Sequence, residues 1–406
     1  MAAIPGSTVR CAMLSVEDAL ARVLALITPL PPEAVALINA AGRVLAAEVI
    51  ASRDQPPFAA SAMDGYALDA AEARPGARFL VIGEAGAGYA FAGRLRPGEA
   101  LRIFTGAPVP AGANRVVIQE DVSRDGDTIV FDTQLDAGSN IRPIGSDFRA
   151  GARLRAPRRL SAADVALIAA MNVPVVQVFR RPVVAIIATG DELVMPGEPP
   201  GPDQIIASNS FALAAMARAE GAEVRMLPIA RDTEASLQMV LRLAEGADLI
   251  VTIGGASVGD HDLVARAAES LGMERAFYKI AMRPGKPLMA GKLRGVPMLG
   301  LPGNPVSSIV CGYLFMLPAL RALQGLPDVS PRYRRAILTN PLAANGPRAH
   351  YMRAVLQETD VLPNITAFER QDSALLSVLS DANALLFRPI LDGPRATGDQ
   401  VLFLQL

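Results

Sequence analysis

Short apolar segments alternate with helical patterns between Arg181 and Gln324, and this alternation constrains the fold more than any other feature of the sequence. Five strands are predicted in this region, at residues 183–188, 224–227, 249–253, 277–280 and 297–301. Glycines at 221, 246 and 272 stand where the intervening helical patterns should end. Strand–helix alternation of this kind predicts a doubly wound α/β domain over residues 181–325.

Each helical pattern in this region has a candidate N-cap residue. Ser210 precedes the pattern over 211–220, Asp232 or Thr233 precedes the next, and Asp262 precedes the third. Because aspartate caps helices readily, capping alone can explain Asp232 and Asp262. A binding role is the alternative for both.

The chain has a different texture on either side of this domain. Short strands separated by Gly/Pro turns predict a β-rich module, inserted at about 55–140 within an N-terminal region that spans 1–180. In the same region, Ser15 and Ser161 are the predicted N-caps of two helices. Beyond the α/β region, apolar strands separated by Pro, Asn and Gly predict an all-β domain over 326–406. A chain of 406 residues is long enough for several cores. The predicted class is therefore multidomain, α/β plus β.

Composition excludes several classes of function. The net charge of −1 gives no electrostatic case for nucleic acid binding. With only two cysteines, Cys11 and Cys311, a disulfide framework is not expected, which favours a reducing compartment. The two histidines argue against a His-rich zinc site. The sequence shows no signal peptide and no apolar run of membrane-spanning length, so we expect a soluble cytoplasmic protein that binds no membrane.

Polar or glycine-rich segments follow every predicted strand. In chain order they contain Asp191 and Glu192; Asp232; Gly254, Gly255 and Asp262; Lys279, Arg283 and Lys286; and Pro302, Gly303, Asn304 and Pro305. Ligands of α/β sheets bind outside the carboxyl ends of the strands, so these segments should form one site. Carboxylates favour Mg²⁺, whereas cations and helix N-termini favour phosphate or another oxyanion. Together they indicate metal-assisted chemistry at a phosphoanhydride or oxyanion.

Purely structural explanations exist for several of these residues. Lys279 and Arg283 are four apart and would project to the same side of an extended chain, as on a surface strand. Asp64 precedes Gly65, and an Asp-Gly pair commonly forms a turn in which the carboxylate accepts local hydrogen bonds. His261 is a loop residue rather than a ligand in this interpretation.

Several motifs occur together along the chain. They are SAMDGYA (61–67), TGAPVPAGA (105–113), NIRPIGSD (140–147), ATGDEL (188–193), GGASVGDHD (254–262), KIAMRPGKP (279–287), GLPGNPVS (300–307), HYMRAVL and QDSALLSVLSDANALL. In type, order and spacing they resemble the molybdopterin molybdenumtransferases, the family of MoeA and of the gephyrin E domain. The resemblance covers nearly the whole chain.

This resemblance implies an architecture and a reaction. The expected architecture is an elongated N-terminal domain with an inserted β-rich module, an α/β molybdopterin-binding domain and a C-terminal β-barrel. The expected assembly is a homodimer whose site lies between the α/β domain of one subunit and the N-terminal region of the other. The implied reaction combines adenylylated molybdopterin with molybdate, with Mg²⁺ as cofactor, and yields molybdenum cofactor and AMP. A molybdopterin adenylyltransferase is the candidate partner.

The resemblance also assigns roles to residues. The family's functional positions fall on Asp64, Thr105, Asp147, Glu192, Asp232, Asp262, Lys279, Arg283, Pro302 and Pro305. The residues expected to bind the pterin nucleotide are Gly254, Gly255, Ser257, Gly259, Lys286, Pro302, Gly303, Asn304 and Pro305, and those expected to hold metal are Asp191, Glu192, Asp232 and Asp262. Arg283 stands where some members have Lys, and its planar guanidinium differs from a point charge.

Two other functions are consistent with parts of the pattern. Adenylyl transfer from ATP to molybdopterin is the reaction of related single-domain α/β proteins, but the long flanking regions argue against it. A gephyrin-like scaffold that clusters a partner is the non-enzymatic alternative, and the sequence contains no additional partner-binding domain.

Overall fold

The computed structural model describes residues 13–132, 134–255 and 263–406. The chain forms two compact units. One comprises Met1–Glu33, Gly42–Ala46 and Val178–Leu406, and the other comprises Ala34–Ala41 and Ala47–Gln177.

A six-stranded sheet organises the first unit. Its strands are Val183–Ala188 (β1), Glu223–Met226 (β2), Leu249–Ile253 (β3), Met273–Tyr278 (β4), Met289–Leu293 (β5) and Val296–Leu301 (β6). Their order across the sheet is β2-β1-β3-β6-β5-β4. Strands β2, β1, β3 and β6 are mutually parallel, while β5 runs antiparallel to both of its neighbours. The predicted α/β fold class is confirmed, although β5 was not predicted.

Helices cover both faces of this sheet. They are Asn209–Ala219 (α1), Glu234–Leu243 (α2), Leu263–Ser270 (α3), Pro305–Cys311 (α4) and Leu317–Leu323 (α5), and a π-helical turn at Gly312–Met316 joins the last two. Along β1, Val184 packs in the same core cluster as Leu213 of α1, whereas Ala185 packs with Leu237 of α2. Successive side chains of a strand point to opposite faces, so β1 is buried on both.

The helix starts correct one prediction and resolve another. Helix α1 begins at Asn209, so Ser210 is a buried residue inside the helix and Ser208 occupies the cap position. Ser210 as N-cap is therefore wrong. At α2 the cap is Thr233, whose side chain accepts a hydrogen bond from the Ser236 backbone N–H at 3.3 Å.

The continuous helical segment Pro305–Leu323 is apolar enough to match a membrane span by length and composition, with a mean hydropathy of 1.6. The prediction that no apolar run reaches membrane-spanning length is therefore wrong for this segment. Within the described residues, 83% of its most apolar window is buried inside the protein. That burial is typical of a core helix, and its residues pack in the same cluster as β3 and β6.

A closed β-barrel follows in the first unit, as predicted. Its five strands are Tyr333–Leu338, Ala349–Gln357, Asn364–Ala367, Ala384–Arg388 and Gln400–Gln405, and a short helix lies at Leu376–Asp381. The pairing of Ala349–Gln357 with Ala384–Arg388 closes the barrel. The same unit contains helix Val16–Ala25, where the predicted cap Ser15 accepts a hydrogen bond from the Asp18 N–H at 2.9 Å.

The second unit contains the predicted β-rich module. Its six strands, in spatial order, are Arg115–Ile118, Gly65–Leu68, Glu99–Ile103, Arg78–Ala85, Thr128–Phe131 and Val122–Asp125. Phe79 and Phe131 stack in its core with ring centroids 4.9 Å apart. Outside the module, Ser161 caps helix Ala162–Ala170 through a full capping box with Asp164, as its sequence predicted.

The remaining elements are short. Strands lie at Pro32–Ala36, Val44–Leu45, Val49–Ile50, Ala60–Ser61, Ile141–Arg142, Arg153–Leu154, Arg158–Arg159, Val175–Phe179, Leu193–Val194, Ile205–Ile206 and Met282–Arg283, and 3₁₀ turns at Leu37–Asn39, Ala70–Glu72 and Gln119–Asp121.

Candidate functional site

A cleft of about 550 Å³ opens at the carboxyl ends of β1, β3 and β6, where it is lined by Thr189, Ile253 and Pro302 among others. The chain leaves β1 towards β2 on one side and returns to β3 on the other. The cleft therefore lies at the point where the strand order reverses. In open α/β sheets this crevice is the usual place for a ligand.

Backbone hydrogen bonds join the strand ends beside the cleft. The Thr189 N–H donates to the Ile253 carbonyl at 2.9 Å, and the Gly254 N–H donates to the Leu301 carbonyl at 3.1 Å. Gly254 has φ +94°, and a Cβ there would lie 2.6 Å from the Thr189 carbonyl oxygen. Only glycine fits, because the Thr189 backbone packs directly against this position.

Hydrogen bonds hold the loop that follows β6. The Asn209 Nδ2 donates to the Gly303 carbonyl at 2.7 Å, and the Asn304 Nδ2 donates to the Ser373 Oγ at 2.9 Å. Four predicted residues, namely Pro302, Gly303, Asn304 and Pro305, line the cleft together with Glu192. Asn209 and Ser373 were not predicted, because the first lies outside the predicted helical pattern and the second lies far away in sequence.

Two predicted acids meet beside the cleft. The Asp232 N–H donates to the Asp191 Oδ1 at 3.2 Å, and the Arg231 Nη1 donates to the Asp191 carbonyl at 3.0 Å. Both carboxylates are exposed. Since Thr233 caps α2, capping does not explain Asp232, and the structural alternative for this residue is wrong.

The predicted acids suit a metal ion that is bound by few protein ligands. Among the described residues, no three His, Cys, Asp or Glu side chains cluster closely enough to form a metal site. Magnesium, however, is usually held by one or two carboxylates, with waters and substrate phosphates completing its octahedron. The Asp191–Asp232 neighbourhood and Glu192 fit an ion bound together with a phosphate, and do not fit a closed protein cage.

Lys279 and Lys286 are brought together by the turn after β4. The Ile280 N–H donates to the Lys286 carbonyl at 3.0 Å, and the next residue, Pro287, lines the cleft. Lys279 has φ +71°, so the chain is not extended there and the expected common face with Arg283 is wrong. Its Nζ instead lies 4.9 Å from the Tyr278 ring centroid.

Arg283 pairs with the barrel strand at His350, within a cationic cluster. Burial, Arg283, Arg353 and other arginines lower the pKa of His350 from 6.5 to about 3. Arg353 is fully buried, and among the described residues its Nε and Nη1 have no hydrogen-bond partner. Its Nη2 donates to the Asp372 carbonyl at 2.8 Å, one residue before Ser373. In the sequence, Arg353 was marked only by being a single charge inside the apolar motif HYMRAVL.

The second unit holds a separate cluster around Asp64. The Asp64 Oδ1 accepts hydrogen bonds from the Thr105 N–H at 2.7 Å and the Thr105 Oγ1 at 2.8 Å. These bonds, with a smaller contribution from Arg102, lower the pKa of Asp64 below its usual value. The interpretation of Asp64 as a local turn acceptor is therefore wrong, because its partner is 41 residues away.

Strand pairing assembles the three motifs of this unit. Ala60–Ser61 pairs with Ile141–Arg142, and an isolated bridge joins Ala60 to Pro108. The Asp147 N–H donates to the Gln55 carbonyl at 3.0 Å, and its carboxylate is exposed. Asp64, Thr105 and Asp147 therefore belong to interlocked segments of one unit.

Three predicted site residues, Ser257, Gly259 and Asp262, lie outside the described residues, as does His261. Gly255, the last described residue before them, has φ +66°, and a Cβ there would lie 2.3 Å from the Val264 side chain.

Three family models match successive parts of the chain. Residues 14–172 match the MoeA N-terminal region (domain I and II), residues 185–322 match a probable molybdopterin binding domain, and residues 335–406 match the MoeA C-terminal region (domain IV).

Relatives and solved structures cover nearly the full length. The chain is 36% identical to the molybdopterin molybdenumtransferase of Nostoc sp., over 92% of this chain and 88% of that protein. It is 38% identical to molybdopterin molybdenumtransferase 2 of Mycobacterium tuberculosis, over 88% and 91% of the two chains. A crystal structure of the molybdopterin biosynthesis MoeA protein from Pyrococcus horikosii matches with a TM-score of 0.81 and 30% identity, over 97% of this chain and 99% of that one.

Proposed function

Since this chain belongs to the MoeA family of molybdopterin molybdenumtransferases, transferases of molybdenum cofactor biosynthesis, we propose that it inserts molybdate into adenylylated molybdopterin and releases AMP. The observation that carries the proposal is the cleft at the strand-order reversal. Glu192 lines this cleft, and the contact between Asp191 and Asp232 begins at the residue directly before Glu192 in the chain.

The chemistry of the cleft supports a pterin nucleotide as substrate. Backbone N–H groups at glycine-rich strand ends and the loop 302–305 suit a pyrophosphate, and the same cleft has apolar lining from Ile205, Ile253 and Pro305. In this proposal Gly254, Gly255, Ser257 and Gly259 line the nucleotide. The cleft is large enough for a small-molecule ligand, as such sites commonly measure about 300–1,000 Å³.

The acids would bind magnesium with the substrate. Asp191, Glu192, Asp232 and Asp262 are the proposed ligands and orienting groups. A bound Mg²⁺ would neutralise phosphate charge and polarise the phosphoanhydride. The residues' own contribution is to fix where the pyrophosphate lies.

The cations would bind the oxyanions. Lys279, Lys286 and Arg283 are the proposed ligands of phosphate and molybdate. The buried Arg353 guanidinium adds positive charge near Arg283. Two of its nitrogens have no hydrogen-bond partner among the described residues, and both observations support the binding of an anion there.

The Asp64 cluster would act on the same substrate from a second subunit. We propose a homodimer in which Asp64, Thr105 and Asp147 of one subunit complete the cleft of the other. Since the Thr105 hydroxyl already donates to Asp64, its oxygen can accept a hydrogen bond from substrate, and the Asp64 Oδ2 can do the same.

The names of the relatives support two further parts of this proposal. A cytoplasmic location fits a cofactor-biosynthesis enzyme, and a molybdopterin adenylyltransferase is the partner that would supply the adenylylated substrate.

An AMP-release assay tests the function. Purified protein is incubated with adenylylated molybdopterin and Mg²⁺, with and without molybdate. We expect AMP release that depends on both molybdate and Mg²⁺. Molybdate-independent release, or none, would contradict the proposal, and consumption of ATP with free molybdopterin would indicate an adenylyltransferase instead.

A further inference from the structure

Arg102 lies over two aromatic rings in the β-rich module. Its Cζ lies 5.1 Å from the ring centroid of Tyr66 and 4.8 Å from that of Phe104. A guanidinium over an aromatic face is attracted by the ring's quadrupole, and here two rings contribute. Phe104 directly precedes Thr105, so this contact reaches the Asp64–Thr105 pair.

The N–H groups of Arg102 reach the residues around Asp64. Its Nη2 donates to the Gln119 Oε1 at 2.6 Å, and its Nη1 donates to the Gly65 carbonyl at 3.4 Å. Gln119 in turn donates its backbone N–H to the Asp64 carbonyl at 3.1 Å. Arg102 thus contacts the residue that follows Asp64 and the residue that bonds to its backbone.

The sheet register places these contacts at the ends of two strands. Arg102 lies opposite Tyr66, and Ile103 lies opposite Gly65, in the antiparallel pairing of Gly65–Leu68 with Glu99–Ile103. Immediately beyond this register one strand leads back to Asp64 and the other leads on to Thr105. A contact that holds these two strand ends in place therefore also holds the geometry of the Asp64–Thr105 hydrogen bonds.

We propose that Arg102 is a positioning residue of the transferase, which holds these two strand ends so that the Asp64–Thr105 pair meets substrate in one geometry. This inference rests on the proposed function of Asp64 and Thr105. A planar guanidinium can stack on rings and donate to two acceptors at once, whereas a lysine ammonium cannot reproduce that fork.

Amide hydrogen exchange tests the positioning without reference to activity. In Arg102→Gln we expect the Thr105 and Gln119 amides, which both donate to Asp64, to exchange at least about tenfold faster than in the wild type. Arg102→Lys should give an intermediate rate. The matched control is Arg124→Gln, on the far edge strand Val122–Asp125, where the Arg124 Nε donates to the Gly126 carbonyl at 2.8 Å. It should leave both amides unchanged.

A double-mutant cycle tests the link to the reaction. With thermal unfolding confirming that each variant is folded, we expect Arg102→Gln to lower kcat/KM for molybdate-dependent AMP release by about 10–100-fold. In a Thr105→Ala background the same change should cost about twofold or less, because the pair it positions is already broken.

The outcomes separate this inference from the proposed function. Unchanged exchange at Thr105 and Gln119, or an equal loss of kcat/KM in both backgrounds, would overturn the positioning role. If the wild-type protein releases no AMP, the proposed function fails, and the exchange rates alone decide whether Arg102 holds the pair.

Discussion

At the start of α2, a helix cap and a candidate metal ligand fall on adjacent residues. Thr233 caps the helix, while the Asp232 N–H donates to the Asp191 Oδ1 and its own carboxylate remains exposed. Substitutions at the two positions should therefore affect different properties.

Asp232→Asn should lower molybdate-dependent AMP release at least about tenfold while leaving the free energy of unfolding nearly unchanged, because the charge contributes to metal binding and not to capping. Thr233→Ala is the matched control. It should cost about 1 kcal/mol of folding free energy, since a cap is lost, and should leave turnover per folded molecule within about twofold. Chemical denaturation measures the free energy of unfolding of each variant, and the AMP assay measures its turnover. Reversed effects at the two positions would contradict this assignment.

His350 should make the protein sensitive to acid. Its pKa is about 3 in the folded protein, against an ordinary value of 6.5, because it is buried among arginines. The unfolded chain therefore gains a proton below pH 6.5 that the folded chain does not take up until about pH 3. The stability present above pH 6.5 is lost as the pH falls, by about 1.4 kcal/mol per pH unit.

The comparison with His350→Gln isolates this effect. Between about pH 6 and pH 4, the free energy of unfolding of the wild type should fall faster than that of the variant, by roughly 1 kcal/mol per pH unit. Urea denaturation at several pH values provides the measurement. Parallel pH profiles for the two proteins would show that His350 does not titrate as its surroundings indicate.

At the scale of elements, the sequence predicted the features that depend on neighbouring residues, such as helix caps and apolar strands. Ser15 and Ser161 were identified as caps from their own sequences, and β1 and β3 from short, mainly apolar runs. Strand β5 was missed because Gly291 and Lys292 interrupt its short apolar run. Ser210 was misassigned because the polar sequence Ser208-Asn209-Ser210 allows the helix to start at more than one residue.

The candidate site was predictable only in part for the same reason. Residues after strands converge by the rules of parallel sheets, so Glu192 and the loop 302–305 could be placed in advance. The bond between Asp64 and Thr105 joins positions 41 residues apart, and no local pattern specifies it. Arg102 and Arg353 gave only isolated charges in apolar strands, and such charges acquire meaning only from their neighbours in space.

An ion pair joins the amino ends of β1 and β3, at the opposite ends of these strands from the cleft. Asp248 accepts two hydrogen bonds from Arg180, at 2.6 and 3.0 Å, and a third from the Val183 N–H at 2.8 Å. The Asp248 side chain is only 12% exposed, whereas that of Arg180 is 37% exposed.

Asp248→Ala should cost about 2 kcal/mol of folding free energy, because a buried N–H and a guanidinium both lose their acceptor. The partial exposure of Arg180 keeps the loss at the lower end of the range for such pairs. Glu48→Ala is the control, since Glu48 and Arg153 are 41% and 63% exposed and their bridge should contribute about 0.5 kcal/mol or less. Equal losses in denaturant titrations would contradict this contrast.

For the whole molecule, the proposed dimer makes a prediction that a monomer cannot satisfy. The solution mass should be near twice 42.6 kDa. Asp64→Asn and Asp232→Asn alter two different compact units. If one site draws on both units from different subunits, a heterodimer of the two variants contains one unaltered site.

Mixing the two inactive variants under exchange conditions should therefore restore about a quarter of wild-type AMP release, since half of randomly formed dimers are mixed and half of their sites are intact. Mixing two differently tagged preparations of Asp64→Asn is the control and should restore nothing. No recovery in the mixture of the two variants, with subunit exchange confirmed by the tags, would show that each site is built within one chain.

The position of the Arg180–Asp248 pair has a practical consequence for engineering. It joins the amino ends of β1 and β3, while the candidate cleft lies at the carboxyl ends of β1, β3 and β6. Thermostabilising substitutions can therefore be concentrated at the amino ends of these strands with little risk to turnover. Beside the cleft, Gly254 allows almost no substitution, so random mutagenesis for new specificity should be directed at side chains that line the cleft, such as Ile205 and Ile206.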